Sequence, residues 1–124
     1  MNPEAFKKQV ARALDDLPEE FRRKMENVEV LVEDFADREM LDSVGIESPW
    51  ELLGLYVGVP LPQQSVFAMT LLPERVYLFR RPILRAAGYS LSRVVETVRE
   101  VVIHEIGHHF GFDDEELDRM MGDE

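Results

Sequence analysis

Apolar residues recur at helical spacing from the beginning of the chain. Asn2 and Pro3 form a helix start, because an asparagine side chain caps unpaired N–H groups and proline fixes φ at the first helical position. The apolar positions that follow are four, four and three residues apart, which predicts a helix with one buried face. These positions are Phe6, Val10, Leu14 and Leu17. A shorter helix is predicted after Pro18. Its first turn contains acidic residues and its last turn basic residues, an order that is favourable for the helix dipole.

Three stretches have the pattern of β-strands. Val28, Val30 and Val32 alternate along the first, which predicts a strand with one strongly buried face. The segment from Leu53 to Val59 is rich in β-formers, but glycines interrupt it and prolines follow it. We expect an edge strand or a close backbone approach there. Residues 76–79 predict another short strand, and Pro82 to Ala87 are expected to form a helical turn that Gly88 ends.

The longest predicted helix begins at Ser90 or Ser92 and bears an apolar arc roughly 140° wide at 100° per residue. Its apolar positions are Leu91, Val94, Val95, Val98, Val101, Val102 and Ile106. The acidic tail has apolar positions for one short helix, at Leu117, Met120 and Met121. Residues 35–51 have a weak pattern that favours a loop or one short helix.

Together these elements predict one α+β domain over residues 1–124, in which helices pack on a small twisted mixed sheet. A chain of this length forms a single core that buries about two-thirds of its unfolded surface. It has no run of about 18 apolar residues, so no membrane span is predicted. The first residues have neither the basic segment nor the apolar segment of a secretory signal peptide, so we expect a cytoplasmic location. We also expect a monomer.

The charge balance limits the classes of partner. The chain has 25 acidic against 14 basic residues and a net charge of −11, which opposes nucleic acid and favours a cationic peptide. It has no cysteine, so disulfides, thiolate ligands and cysteine nucleophiles are excluded. Any metal must be held by histidine and carboxylate.

All three histidines lie within six residues near the C-terminal end. His104 and His108 are four residues apart, so on an α-helix they differ by roughly 40° and project from one face. This separation lets two imidazoles share one tetrahedral zinc at about 2.0–2.1 Å. Glu105 lies on the flank of that face, where its carboxylate can reach a metal-bound water. Zinc peptidases use this H-E-x-x-H arrangement, with the glutamate as general base.

The motif continues beyond the second histidine. Gly111 is suited to a left-handed turn that ends the helix, and Asp114 follows three residues later. The whole reads H-E-x-x-H-x-x-G-x-x-D and resembles the zincin metallopeptidases, within them the metzincin-like pattern with aspartate for the third histidine. More narrowly, it is similar to the small bacterial minimal zincins. Residues 53–58 and 72–79 also look similar to that family, though less specifically.

The resemblance implies a zinc-dependent hydrolase of peptide bonds. Zn²⁺ would be held by His104, His108 and Asp114, with Glu105 as general base and the fourth metal position open. A peptide substrate would pair along the edge strand from Leu53 to Val59. One alternative is a zinc-binding protein-interaction domain with little or no turnover. Another is an acidic binding module without metal.

Several neighbouring residues have two interpretations. Asp113 competes with Asp114 as third ligand. His109 is expected to be a core histidine bonded to a backbone carbonyl rather than a ligand, and Gly107 is expected to allow close packing beside the metal. Met120 or Met121 either replaces the methionine turn of metzincins or belongs to the core.

Other side chains carry weaker signals. Trp50 is expected to pack over the core rather than bind a ligand. Glu33 and Asp34 are expected to be a solvated strand end, with a functional carboxylate pair as the alternative. The sequence does not choose among three tyrosines that could aid an oxyanion, which are Tyr56, Tyr77 and Tyr89.

Overall fold

Helices pack on both faces of a small mixed sheet in the computed structural model, which describes residues 1–58 and 74–121. The helices are α1 (Pro3–Asp15), α2 (Glu19–Lys24), α3 (Arg38–Ser43), α4 (Arg80–Ala86), α5 (Leu91–Ile106) and α6 (Asp114–Met120). The strands are β1 (Val28–Glu33), β2 (Gly54–Val57) and β3 (Glu74–Phe79). Short 3₁₀-helices cover Pro49–Glu51 and Gly107–Phe110. The α+β prediction, with a long helix near the C-terminus, is confirmed.

The first helix forms as its pattern predicts. The Asn2 side chain accepts a hydrogen bond from the Ala5 N–H at 2.8 Å, and Pro3 occupies the first helical position. Phe6 and Val10 are buried against the core, where α1 packs against α5. Each such side chain contributes about 1.5–3 kcal/mol when it leaves water.

The sheet has the strand order β1-β3-β2, with β3 parallel to β1 and antiparallel to β2. The edge position predicted for the segment from Leu53 is confirmed for β2, while Val59 lies outside the described residues. The valines of β1 are only half-buried, not strongly buried as predicted. Among the described strands β1 lies at the other edge of the sheet, where fewer side chains cover it.

Two apolar clusters cover the two faces of β3. Val76 and Leu78 point into the larger cluster, which α1, α2, α4, α5 and α6 complete. Phe79 points to the opposite face and belongs to a smaller cluster with Ala36, Leu41 and Leu52. Helix α3 therefore covers the second face of the sheet. Of the two alternatives for residues 35–51, a loop or one short helix, the structure has the short helix.

Helix α5 buries most of its predicted apolar arc, together with Ile103. Leu91 is an exception, with 67% of its surface exposed at the first turn of the helix. Edge strand β2 approaches this helix closely, because a Cβ at Gly54 would lie 2.9 Å from Cγ1 of Val101. The close backbone approach predicted from the glycine in this segment is thus confirmed.

The tail forms the predicted short helix α6 and closes the core. Leu117 and Met120 are buried, so Met120 is a core residue. Gly107 lies directly under α6, and a Cβ at this position would overlap Cδ2 of Leu117. The close packing expected at Gly107 therefore exists, but its partner is the tail helix. Within the described residues, no helix is both long enough and apolar enough to cross a membrane.

We predict that Gly107→Ala lowers the free energy of unfolding by about 1–3 kcal/mol, because the new methyl group overpacks the interface with Leu117. In an open helix the same change would stabilise by about 1 kcal/mol. Urea denaturation measures the difference. The control is the same change in a Leu117→Ala background, where the methyl group has room and should cost less. Equal costs in both backgrounds would contradict the close contact.

Candidate metal centre

The α-helix that carries the motif ends before the motif does. Helix α5 ends at Ile106, whose φ is −117°, and the chain continues as a 3₁₀-helix to Phe110. His104 and Glu105 therefore lie on the α-helix, whereas His108 lies on the 3₁₀-helix, which differs from the prediction of one continuous α-helix. Each 3₁₀ residue turns about 120° instead of 100°. The angle between the two histidines widens from roughly 40° to roughly 80°.

A left-handed turn then reverses the chain, as predicted. Gly111 has φ 93° and ψ 7°, and its N–H donates to the His108 carbonyl at 3.0 Å. The next N–H, of Phe112, donates to the Gly107 carbonyl at 3.3 Å. This conformation is accessible to glycine without a Cβ clash. The turn brings the start of α6 back beside the histidines.

The returning chain places Asp114 against His108, with 2.9 Å between Oδ1 of the carboxylate and Nε2 of the imidazole. Two ligands of one tetrahedral zinc at about 2.0–2.1 Å lie about 3.3 Å apart, so this pair is close to the spacing of shared ligands. Both side chains face solvent, with 56% and 89% of their surface exposed. Imidazole nitrogen and carboxylate oxygen are donors that zinc accepts.

His104 is exposed on the preceding turn, but it does not complete a cluster with this pair. Across residues 1–58 and 74–121, no three histidine, aspartate or glutamate side chains converge as a metal-binding group. The structure thus brings together two of the three predicted ligands, His108 and Asp114. The change from α-helix to 3₁₀-helix between His104 and His108 alters the relative direction of the two side chains.

Asp113, the competitor for the third ligand position, has a structural role. Its side chain accepts from the Glu116 N–H at 2.8 Å, and the Glu116 carboxylate accepts from the Asp113 N–H at 2.8 Å. This reciprocal capping box satisfies N–H groups at the start of α6. It leaves Asp114 as the carboxylate that faces His108.

An open groove of about 420 Å³ lies beside His104. Its wall combines α5 with the residue that leads into edge strand β2, and its lining residues are Leu53, Glu100, Val101, His104 and Glu105. Glu105 is exposed there, next to the first histidine of the motif. The groove therefore joins the candidate base to the edge of the sheet.

Aromatic side chains hold the turn in place. Phe110 and Phe112 flank Gly111, and both pack on the buried ring of Phe21 from α2. The centroid of Phe21 lies 5.4 Å from that of Phe110, edge to face, and 5.6 Å from that of Phe112, nearly parallel. Such pairs contribute about 0.5–1.5 kcal/mol beyond their buried area. The turn is thus fixed to the core on both sides of its glycine.

The prediction that His109 is a core histidine is wrong. Its side chain is exposed and stacks on Tyr56 of β2, with ring centroids 4.5 Å apart. The 3₁₀ rotation turns His109 away from the apolar arc of α5 and towards the sheet edge. Tyr56 also contacts Phe110 edge to face at 6.0 Å. The contact therefore links the edge strand to the motif.

Burial, and hydrogen bonding to the Glu74 carboxylate, raise the pKa of Tyr56 from 10.0 to about 12. Both causes act in the same direction, because burial and a nearby negative charge each disfavour the phenolate. The phenol also lies over Gly58, where a Cβ would be 2.5 Å from the hydroxyl oxygen. Tyr56 is therefore a neutral residue that holds the 3₁₀-helix against the sheet.

Comparison with protein-family models matches residues 25–123 to the zincin-like metallopeptidases. The matched range includes the sheet, α5, the turn and α6. The chain belongs to the zincin-like metallopeptidase family. Comparison with curated proteins finds no match.

A solved structure with a similar fold is that of a conserved hypothetical protein from Thermo thermophilus. The two chains are 29% identical, with a TM-score of 0.59. The alignment covers 88% of this chain and 94% of that chain. This zincin-like chain therefore shares its arrangement of sheet and helices with a protein of nearly the same extent.

The aromatic residues that position the zincin-like motif were not identified from the sequence. Phe110 and Phe112 occur at regular spacing around Gly111, which was a usable signal for a turn anchored in the core. Nothing in local pattern indicated their partner Phe21, which is nearly 90 residues away. Tyr56 was one of three tyrosines left undecided, and its contact with His109 distinguishes it from the others.

We predict that the phenolate absorbance of the folded protein contains a component that titrates near pH 12, and that Tyr56→Phe removes it. Unfolded Tyr56 ionises near 10.0. The stabilisation is therefore fully present below about pH 10 and is lost as pH rises through about 12. Glu74→Gln is the control, because it removes one cause and should lower the pKa while burial remains. A Tyr56 component that titrates near pH 10 would contradict this environment.

Proposed function

We propose that this protein is a zinc-dependent peptidase, in which His104, His108 and Asp114 hold Zn²⁺ and Glu105 is the general base. The observation that carries the proposal is the 2.9 Å contact between His108 and Asp114 across the Gly111 turn. Membership of the zincin-like metallopeptidase family supports it independently. The donor set contains imidazole and carboxylate only, which suits an open catalytic zinc site.

Zinc bound to these residues would lower the pKa of a bound water towards about 7 and polarise a substrate carbonyl. Glu105 lies exposed in the groove beside His104, where its carboxylate can accept the proton of the attacking water. The same carboxyl group can then give the proton to the leaving amine. One residue thus performs both proton transfers of peptide hydrolysis.

The substrate is proposed to be an extended peptide that pairs with edge strand β2. This strand bonds to β3 on one side and has no second strand partner among residues 1–58 and 74–121. An extended peptide added to such an edge gains main-chain hydrogen bonds. Glu100 and Glu105 in the groove favour a cationic substrate segment. We propose that the protein acts as a cytoplasmic monomer.

A second candidate is a zinc-binding interaction domain with little or no turnover. The observation that favours it is that the described residues do not converge as a three-ligand group. Two of the ligands alone hold zinc weakly, and turnover requires a preorganised site. The two candidates predict the same ligands but different consequences of changing Glu105.

For the metal, we predict about one zinc per chain in protein purified without chelator or affinity metal. His108→Ala and Asp114→Ala should each lose or strongly weaken it, as measured by elemental analysis. Asp113→Ala is the matched control, because the Asp113 carboxylate is next to Asp114 in the chain but caps α6. That variant should keep zinc while losing about 0.5–2 kcal/mol of stability.

The absence of zinc in the purified protein, with none bound after zinc addition, would overturn both candidates. Zinc lost in Asp113→Ala but kept in Asp114→Ala would reverse the ligand assignment.

For turnover, we predict that Glu105→Gln lowers kcat on peptides by about 10²- to 10⁴-fold while zinc content stays unchanged, because a general base is lost. Cleavage of a mixed peptide library, followed by mass spectrometry, measures this. Glu100→Gln is the control, since it removes the same charge from the same groove without touching the H-E-x-x-H motif. Zinc-loaded protein that cleaves no peptide would support the interaction domain instead.

A further inference from the structure

A second pocket lies on a part of the surface that shares no lining residue with the groove at His104. It has a volume of about 220 Å³. Its lining residues are Met1, Trp50, Arg80, Arg81, Leu84 and Tyr89. We call it the arginine–aromatic pocket. Its chemistry is opposite to that of the acidic groove.

Two arginines lie over aromatic rings, of which Arg81 lines the arginine–aromatic pocket and Arg85 lies beside it, on the pocket residue Trp50. The guanidinium of Arg81 is 5.7 Å from the ring centroid of Phe35, and that of Arg85 is 4.8 Å from the ring of Trp50. The two rings pack edge to face at 4.8 Å, so they form one support for both cations. Trp50 therefore belongs to this surface and to neither apolar cluster, which differs from the prediction that it packs over the core.

Neither of these arginines forms an ion pair with a carboxylate among the residues that the structure describes, although the chain has a net charge of −11. Arg80 differs, because it donates to Asp34 at 2.8 Å and to the Met1 carbonyl at 2.7 Å. This bond is the main cause that lowers the pKa of Asp34. The charge of Arg81 adds a smaller effect in the same direction, so Asp34 bonds to Arg80 and lies near Arg81. Arg81 and Arg85 are both exposed.

An arginine supported on an aromatic face keeps its N–H groups available at the edge of the plane. These groups match the two oxygens of a carboxylate in a bidentate pair. The aromatic support also limits the rotamers of the side chain, so less entropy is lost on binding. Arg81 and Arg85 are one helical turn apart on α4, which places a second donor next to the pocket-lining Arg81.

The backbone of Tyr89 supplies an independent observation. Its φ is 57°, and it is the one residue other than glycine with positive φ in the described chain. A bulky residue in the left-handed region is strained, and such strain clusters at functional sites. The side chain is 65% exposed at the pocket, so core packing does not explain the choice of tyrosine. An asparagine or glycine would satisfy the turn better.

We propose that the arginine–aromatic pocket binds an acidic peptide segment of a partner protein. A carboxylate of the segment pairs with Arg81 and Arg85, and an adjacent apolar side chain enters the pocket against Trp50 and Tyr89. The pocket volume lies below the roughly 300–1,000 Å³ of small-molecule sites and fits one side chain. The overall charge of −11 opposes any anionic partner at long range, so recognition of the acidic segment depends on the local guanidinium groups of Arg81 and Arg85. The proposal does not depend on metal binding or on turnover.

The test uses the full chain and a fluorescein-labelled nonapeptide of alternating glutamate and leucine, with fluorescence anisotropy as readout. We expect the double variant Arg81→Ala/Arg85→Ala to raise the Kd by about tenfold or more, as for a buried arginine anchor. The matched control is Arg22→Ala/Arg23→Ala, which removes the same charge from another open depression. Equal weakening in both variants would overturn the proposal, because net charge alone would then explain binding.

Tyr89→Asn separates binding from folding. We expect this variant to raise the midpoint of thermal unfolding, because asparagine tolerates the left-handed conformation. We also expect it to weaken peptide binding, because the exposed ring is lost. A variant with higher stability and unchanged affinity would show that Tyr89 has no part in the site, and would overturn its role in the proposal.

Two further measurements test the chemistry of the occupant. A peptide with glutamine in place of each glutamate should bind at least about tenfold more weakly. Adenosine monophosphate is the competing small anion, and it should not displace the peptide at equal concentration. Displacement by the nucleotide, or no anisotropy change up to about 1 mM protein, would overturn the assignment to an acidic peptide.

Discussion

The left-handed turn at Gly111 is the constraint on which the candidate site depends. It ends the 3₁₀-helix and returns the chain so that Asp114 reaches His108 and α6 lies over Gly107. Without a residue that adopts positive φ cheaply, the chain would leave in another direction. The same turn therefore serves the core, through Leu117, and the candidate metal centre, through Asp114.

Three separate parts of the chain hold this turn. Helix α2 supplies Phe21 for the two phenylalanines that flank the glycine, and strand β2 supplies Tyr56 for His109. Because Gly54 allows β2 to approach α5, the sheet edge, the groove and the motif form one continuous surface. The proposed peptidase function requires such continuity, since a bound strand and a general base would have to meet at one bond.

The 3₁₀-helix at residues 107–110 affects how much of the candidate metal centre is formed before a metal ion binds. His108 and Asp114 already contact each other, while His104 lies on the preceding α-helical turn. Binding of one ion by all three requires the His104 side chain to join the other two, since the described residues do not already converge as a three-ligand group. Ligand binding that orders a few residues releases less free energy than binding to a site already formed.

The two pockets of the surface carry charges of opposite sign. The groove contains carboxylates, whereas the arginine–aromatic pocket contains guanidinium groups.

Local pattern in the sequence determined the helices, the edge position of β2, the turn at Gly111 and the short tail helix, because caps, glycine and apolar periodicity act within a few residues. It also identified His108 and Asp114 as neighbours. Tertiary structure decided the 3₁₀ rotation, the exposure of His109, the half-burial of β1 and the contacts of Phe21 and Tyr56. These features depend on which distant side chains pack together, and packing overrides local propensity when the chain closes its core.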